Sequence, residues 1–145
     1  MNKTSIAVFA AIALSACTTT QFDAFIKSPE GQAIEKAALD AATNALRQAA
    51  ATGKVNGKEV LNAVSGGSQQ LRTLQSTDKA ADPTAITKAV KAGSANPAAV
   101  RVVSRVVAPK VAEAVAEAVQ KKGISKDLAN EAAARGLDKA VAQHK

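Results

Sequence analysis

From residue 28 onward, apolar positions recur every three to four residues, and Gly, Pro and short polar residues interrupt them at intervals. This pattern predicts helices separated by capped breaks. Ser28-Pro29-Glu30 reads as a helix start: a cap, a Pro in the first turn and an acid beside it. Gly53 reads as the stop. Between them Ile34, Ala38, Ala41, Ala45 and Ala49 form an apolar face flanked by Leu39 and Leu46. Lys36, Asp40, Thr43 and Arg47 lie opposite. Asn56-Gly57-Lys58-Glu59 has the spacing of a capping box. The helix it opens either breaks at Gly66-Gly67 or runs through to Leu71 and Leu74. Asp82-Pro83 opens a helix that Gly93 ends. Asn96-Pro97 opens a long one that closes at Lys121-Lys122-Gly123, with a kink expected at Pro109. Ser125 caps the last helix. Its polar stripe is Asp127, Glu131, Arg135 and Asp138, and its apolar side is Ala129, Ala133, Gly136, Leu137 and Ala140.

The β-branched run Val100–Val107 admits either helix or strand. Helix is favoured because the run continues into Val111-Ala112-Glu113-Ala114-Val115 and no second strand candidate could pair with it. Val100, Val103, Val107 and Val111 share one face while Val102 and Val106 share another, which marks a central helix. The expected fold is therefore all-α: a small Ala-rich helical bundle of about four to five helices over residues 28–145.

Residues 1–27 read differently. Lys3 precedes an apolar run from Ser5 to Leu14, long enough for a signal segment and too short to span a bilayer as a helix. The run ends in Leu14-Ser15-Ala16-Cys17, a small-residue cleavage pattern with the sole Cys of the chain directly after it. These four residues resemble the lipobox of bacterial lipoproteins at every position. The resemblance covers the leader only, since lipoproteins share an anchor and not a fold, and no family is identified for the mature domain. It implies a cleaved signal peptide over residues 1–16 and lipidation at Cys17. In Gram-negative bacteria it also implies acylation of the new amine. Such an anchor of several acyl chains holds stably, whereas a single chain binds only marginally. Thr18 in place of an Asp implies outer-membrane sorting, with the domain facing the periplasm. Residues 17–27 are expected to be the lipidated Cys and a short tether, with Phe22, Phe25 and Ile26 packing on the domain or resting on lipid. The terminal Lys145 pairs with a lipidated Cys as in murein lipoproteins. The long heptad rod of that family and its basic-aromatic ending are absent, so a peptidoglycan link stays open.

Composition narrows the function classes. Of 145 residues about a quarter are Ala, none is Trp or Tyr, and the three Phe all fall by position 25. Base-stacking surfaces for single-stranded nucleic acid need rings, so a nucleic-acid partner is not expected. A core of Ala and Val is thin, so an envelope protein partner or self-association is expected to supply part of the stability. The only His is His144, no metal-ligand cluster is spaced in the sequence, and Cys17 is taken by the anchor. Glu113 and Glu117 are paired at i,i+4 but stand beside Lys110 and Lys121, as solvated helix charges do. Gly66-Gly67-Ser68 lacks the strand and the Lys of a phosphate loop. No enzymatic activity and no cofactor or metal are expected. The net charge of +7 is concentrated between residues 54 and 122. The expected role is structural or protein-interacting. The alternative is binding of envelope polyanions (lipopolysaccharide, peptidoglycan or anionic lipid) through Lys88, Lys91, Arg101 and Arg105.

Overall fold

The structure is a computed structural model that describes residues 19–74 and 80–144. Among these residues it is all-α, with six helices and no strand. They are α1 (Thr19–Lys27), α2 (Pro29–Thr52), α3 (Gly57–Leu74), α4 (Pro83–Gly93), α5 (Pro97–Lys122) and α6 (Lys126–Gln143). The Val100–Val107 run is helical throughout, inside α5. Cys17 and Lys145 lie outside the described residues.

The helix ends follow from the capping residues. Ser28, Asp82, Asn96 and Ser125 each accept a backbone N–H of the following first turn through a side-chain oxygen, removing one or two of the donors a helix start leaves free. Pro occupies the first turn of α2, α4 and α5, where no donor is lost. Gly53 and Gly123 close α2 and α5 at φ 66°, the left-handed conformation that costs Gly little. The capping box at Asn56 is only half made. Asn56 Oδ1 accepts from Lys58 N at 2.8 Å, but Glu59 turns away and accepts a hydrogen bond from Ser94 Oγ at 3.0 Å, tying α3 to the end of α4.

One local expectation changes, and one open alternative is decided. The tether expected over residues 17–27 is a helix from Thr19 onward. Helix α1 lies against α2 and α6, and Phe25 and Ile26 pack on the core, so this segment belongs to the domain. The corner that folds it back is tight: the Ser28 hydroxyl donates to the Phe25 carbonyl and accepts from Gly31 N at 3.1 Å. The glycine pair Gly66-Gly67 does not break α3, which runs through it to Leu74. Pro109 likewise lies inside α5 without ending it. The residue four earlier, whose carbonyl loses its donor there, is Arg105, and both residues are exposed, so water can satisfy that group.

The packing forms a closed ring. Helix α2 packs on α6, α6 on α3, α3 on α4, α4 on α5, and α5 back on α2, with fewer contacts across the middle. Ala and Val make up the buried apolar core except at Ile34, Leu71, Ile86 and Leu137. As expected of a central helix, α5 buries two faces: Val103, Val107, Val111 and Val115 are fully buried, and Val102 and Val106 nearly so. Helix α6 is buried more completely still, from Ala129 to Ala134 without a break. Small side chains let these axes approach until backbones touch. At the α3–α4 crossing, a Cβ placed on Gly66 would fall 2.5 Å from the Gly93 Cα. At the α2–α6 crossing, one on Gly136 would fall 2.3 Å from the Glu35 carbonyl oxygen. Gly66 and Gly136 are thus packing surfaces and not breaks.

Candidate functional site

Of the four basic residues singled out from the sequence, the fold brings three together. Lys91 of α4 and Arg101 and Arg105 of α5 line a groove of about 580 Å³ between those helices. Arg101 and Arg105 reach it from one helix face because they are one turn apart. Among the described residues the wall holds no carboxylate; its remaining surface comes from residues such as Thr87, Val100 and Ser104. The Ser104 hydroxyl oxygen is buried and has no hydrogen-bond partner. Arg105 Nη2 also donates to Gln48 Oε1 of α2 at 3.4 Å, which steadies one edge. Lys88 is exposed on α4 and stands outside the groove wall. The arrangement offers guanidinium and ammonium donors to an anion and no nucleophile–base pair.

Glu113 and Glu117 are exposed on α5 and rim a separate groove of about 480 Å³ against α2, opposite Glu30 and Asp40. Neither ion-pairs with the Lys expected beside it: the described ion pairs involve other residues. Among the described residues no group of three or more His, Cys, Asp or Glu could hold a metal ion, and no helix is long and apolar enough to cross a membrane.

The largest polar constellation was only half legible in sequence. Glu131 of α6 is 8% exposed and sits between two arginines. Arg72 of α3 meets it in a fork, Nε to Oε1 and Nη2 to Oε2, both at 3.2 Å. Arg135, one turn along α6, donates Nε to Oε2 at 3.0 Å. Arg72 Nη1 continues to Asp138 at 2.8 Å and to Ser68 Oγ at 3.1 Å. The Ser68 hydroxyl in turn donates to Asp138. Arg135 Nη1 reaches Asp23 of α1 at 3.2 Å. The network therefore joins α1, α3 and α6. Spacing along α6 shows the Glu131–Arg135 pair, but Arg72 and Asp23 enter from elsewhere in the chain.

Burial disfavours the charge on Arg72 and on Arg135. For each, hydrogen bonds and attraction from the surrounding carboxylates outweigh that penalty and raise the pKa above the ordinary arginine value. Each guanidinium is held charged between carboxylates and each carboxylate accepts from a guanidinium. Chemically this is a clamp of two guanidiniums among three carboxylates.

The fold and these groups together define an all-α five-helix ring with an added N-terminal helix and a cationic groove on one side. Comparison with known protein families, curated proteins and solved structures gives no match.

Proposed function

We propose that this chain is a lipid-anchored protein of the bacterial cell envelope, held at the outer membrane and facing the periplasm, with a structural or protein-interaction role. The observation that carries this reading is the sequence Leu14-Ser15-Ala16-Cys17 after an apolar run, with the sole Cys of the chain at its end. Helix α1 begins at Thr19, two residues past Cys17. At up to ~3.6 Å per residue, that leaves less than about 10 Å between a lipidated Cys17 and the domain. A domain held so close to a bilayer meets partners anchored in the same surface.

The test is metabolic labelling with radioactive palmitate in a Gram-negative host. The full-length chain is expected to incorporate label and to shift to the mass of a chain beginning at Cys17. Cys17→Ser is expected to take up none and to keep its leader. Equal processing of the two, without label, overturns the reading. In-cell crosslinking of the labelled protein then identifies its neighbour.

The convergence of Lys91, Arg101 and Arg105 supports a second reading, retention of an envelope polyanion in the α4–α5 groove. Binding to lipopolysaccharide or peptidoglycan should then fall steeply as salt rises, because each phosphate or carboxylate contact displaces counterions. Arg101→Glu with Arg105→Glu is expected to abolish the retention and leave the fold intact, as both side chains are exposed. Retention that survives both substitutions, or that ignores salt, rules it out.

A further inference from the structure

A third concavity, of about 950 Å³, is the largest of the three grooves and lies between α2, the start of α3 and the end of α6. Its apolar floor comes from three different parts of the chain: Leu46, Leu61 and Val141, with Val55 from the α2–α3 connection. All four are half-buried, so the ring packing leaves one side of each aliphatic group open into the same hollow. Single exposed aliphatics are ordinary on a surface, but several large ones converging in one hollow are not. Two cationic side chains, Arg47 and Lys58, stand on the rim beside the His144 imidazole, and among the described residues no carboxylate lines it. The α2–α5 groove differs on both counts, with an Ala-rich floor and four carboxylates.

We propose that this concavity binds a single-chain anionic amphiphile, a fatty-acid-type ligand whose alkyl chain lies on Leu46, Leu61 and Val141 and whose acid group meets Arg47 and Lys58. Two features select this occupant. An apolar floor under a rim that carries the cations Arg47 and Lys58 matches a molecule with an apolar body and one negative end. The hollow is also short. It takes α2 from Thr43 to Ala50 and α3 from Gly57 to Ser65, about 10 and 12 Å of helix at ~1.5 Å per residue. That is roughly two turns, room for no more than a single i, i+3, i+4, i+7 set of helix anchors, whereas one alkyl chain needs no such register. An alkyl chain can bend into the space. Neutral donors at Thr43, Asn62 and Ser65 can complete the shell of the acid group.

The test uses the full chain in phosphatidylcholine nanodiscs with a photoactivatable, diazirine-bearing palmitic acid, and maps adducts by mass spectrometry. Adducts are expected to concentrate on the peptides holding Leu46, Leu61 and Val141. Arg47→Glu with Lys58→Glu is expected to cut that labelling by about tenfold while leaving labelling by the corresponding diazirine-bearing alcohol unchanged. Leu61→Gln is expected to reduce labelling by both probes, with helicity by circular dichroism confirming that the variants fold. Adducts spread evenly over the exposed helices, or unaffected by the charge reversal, overturn the proposal. Vesicles of phosphatidylglycerol added in excess separate the two sources of an anionic lipid group. Labelling that persists supports the single-chain ligand, whereas full displacement assigns the rim to a bilayer headgroup and overturns it.

Discussion

Gly136→Val is expected to abolish the cooperative thermal unfolding transition, and Gly136→Ala to lower stability by about 2–4 kcal/mol. The reason is the geometry of the α2–α6 crossing. A Cβ at position 136 falls 2.3 Å from the Glu35 carbonyl oxygen and 2.8 Å from the Ala38 Cβ. The first contact is with backbone inside a helix, which cannot rotate aside as a side chain can. The axes must move apart, and the Ala residues that fill the interface then lose contact along its length. Overpacking by one methyl group costs about 1–3 kcal/mol in a core that can adjust, and this one has little room to. The gain in helix propensity from Gly to Ala, about 1 kcal/mol, offsets part of the loss and sets the lower end of the range. Gly57→Ala serves as the control. A Cβ there meets nothing within 4 Å, so the same exchange is expected to be neutral or stabilising by up to about 1 kcal/mol. Thermal melts of the three variants, followed by circular dichroism, separate steric packing from propensity. A Gly136→Ala protein as stable as the parent contradicts the crossing geometry.

Glu131→Leu is expected to cost about 2–4 kcal/mol, because it strips a partner from two guanidiniums at once. The cost stays below the loss expected for a fully buried pair. The Arg72 and Arg135 side chains are 37% and 30% exposed, and Asp138 and Asp23 remain as partners. Arg72→Met alone is expected to lose about 1–3 kcal/mol. The double variant should be less destabilised than the two losses added, with a coupling of about 1–2 kcal/mol, since Arg72 and Glu131 then no longer leave each other unpaired. The pH dependence has a definite sign. A group whose pKa is raised in the folded state contributes its stability fully below the unfolded value and loses it only as pH rises through the folded one. For Arg72 and Arg135 that window lies above the ordinary arginine range. The cost of Arg72→Met should therefore be the same at about pH 6 and about pH 9. Chemical denaturation at the two pH values checks this. Exact additivity of the single losses, or a cost that changes severalfold between those pH values, contradicts the network.

The polar stripe of α6 shows where sequence reading stops. Its spacing is plain at Asp127, Glu131, Arg135 and Asp138, and such a stripe ordinarily faces water. Here Asp127 and Glu131 are buried, at 5% and 8% exposure. A stripe facing solvent and a stripe facing another helix have the same period, and only the neighbour tells them apart. The glycines carry a similar ambiguity. In one dimension Gly66-Gly67 reads as a pause in a helix, and in three it is a surface that Gly93 needs. The cationic groove was legible as to its charges, because Arg101 and Arg105 lie one turn apart. Lys88 shares a helix with Lys91 but stands off the groove wall. The amphiphile-sized hollow left no signal, since Leu46, Leu61 and Val141 are separated along the chain and each looks like ordinary helix flank.

The sequence by itself determined the starts of α2 to α6 and their caps, because these depend on residues within a turn of one another, but it did not show α1 or decide whether α3 passes Gly66-Gly67. It also determined the fold class, since no segment offered a strand a partner, and it carries the Leu14-Ser15-Ala16-Cys17 pattern on which the proposed anchor rests. Only the tertiary structure decided which faces meet. The five helices close into a ring in which chain neighbours such as α2 and α3 touch less than α2 and α6 do. In an Ala-rich chain this could not be read in advance. Most helix faces offer the same small side chains, so the choice of partner rests on a few sites: Gly66 against Gly93, Gly136 against Glu35, and Arg72 against Glu131. Each joins residues far apart in sequence, and a steric or ionic match of that kind exists only once both partners are in place.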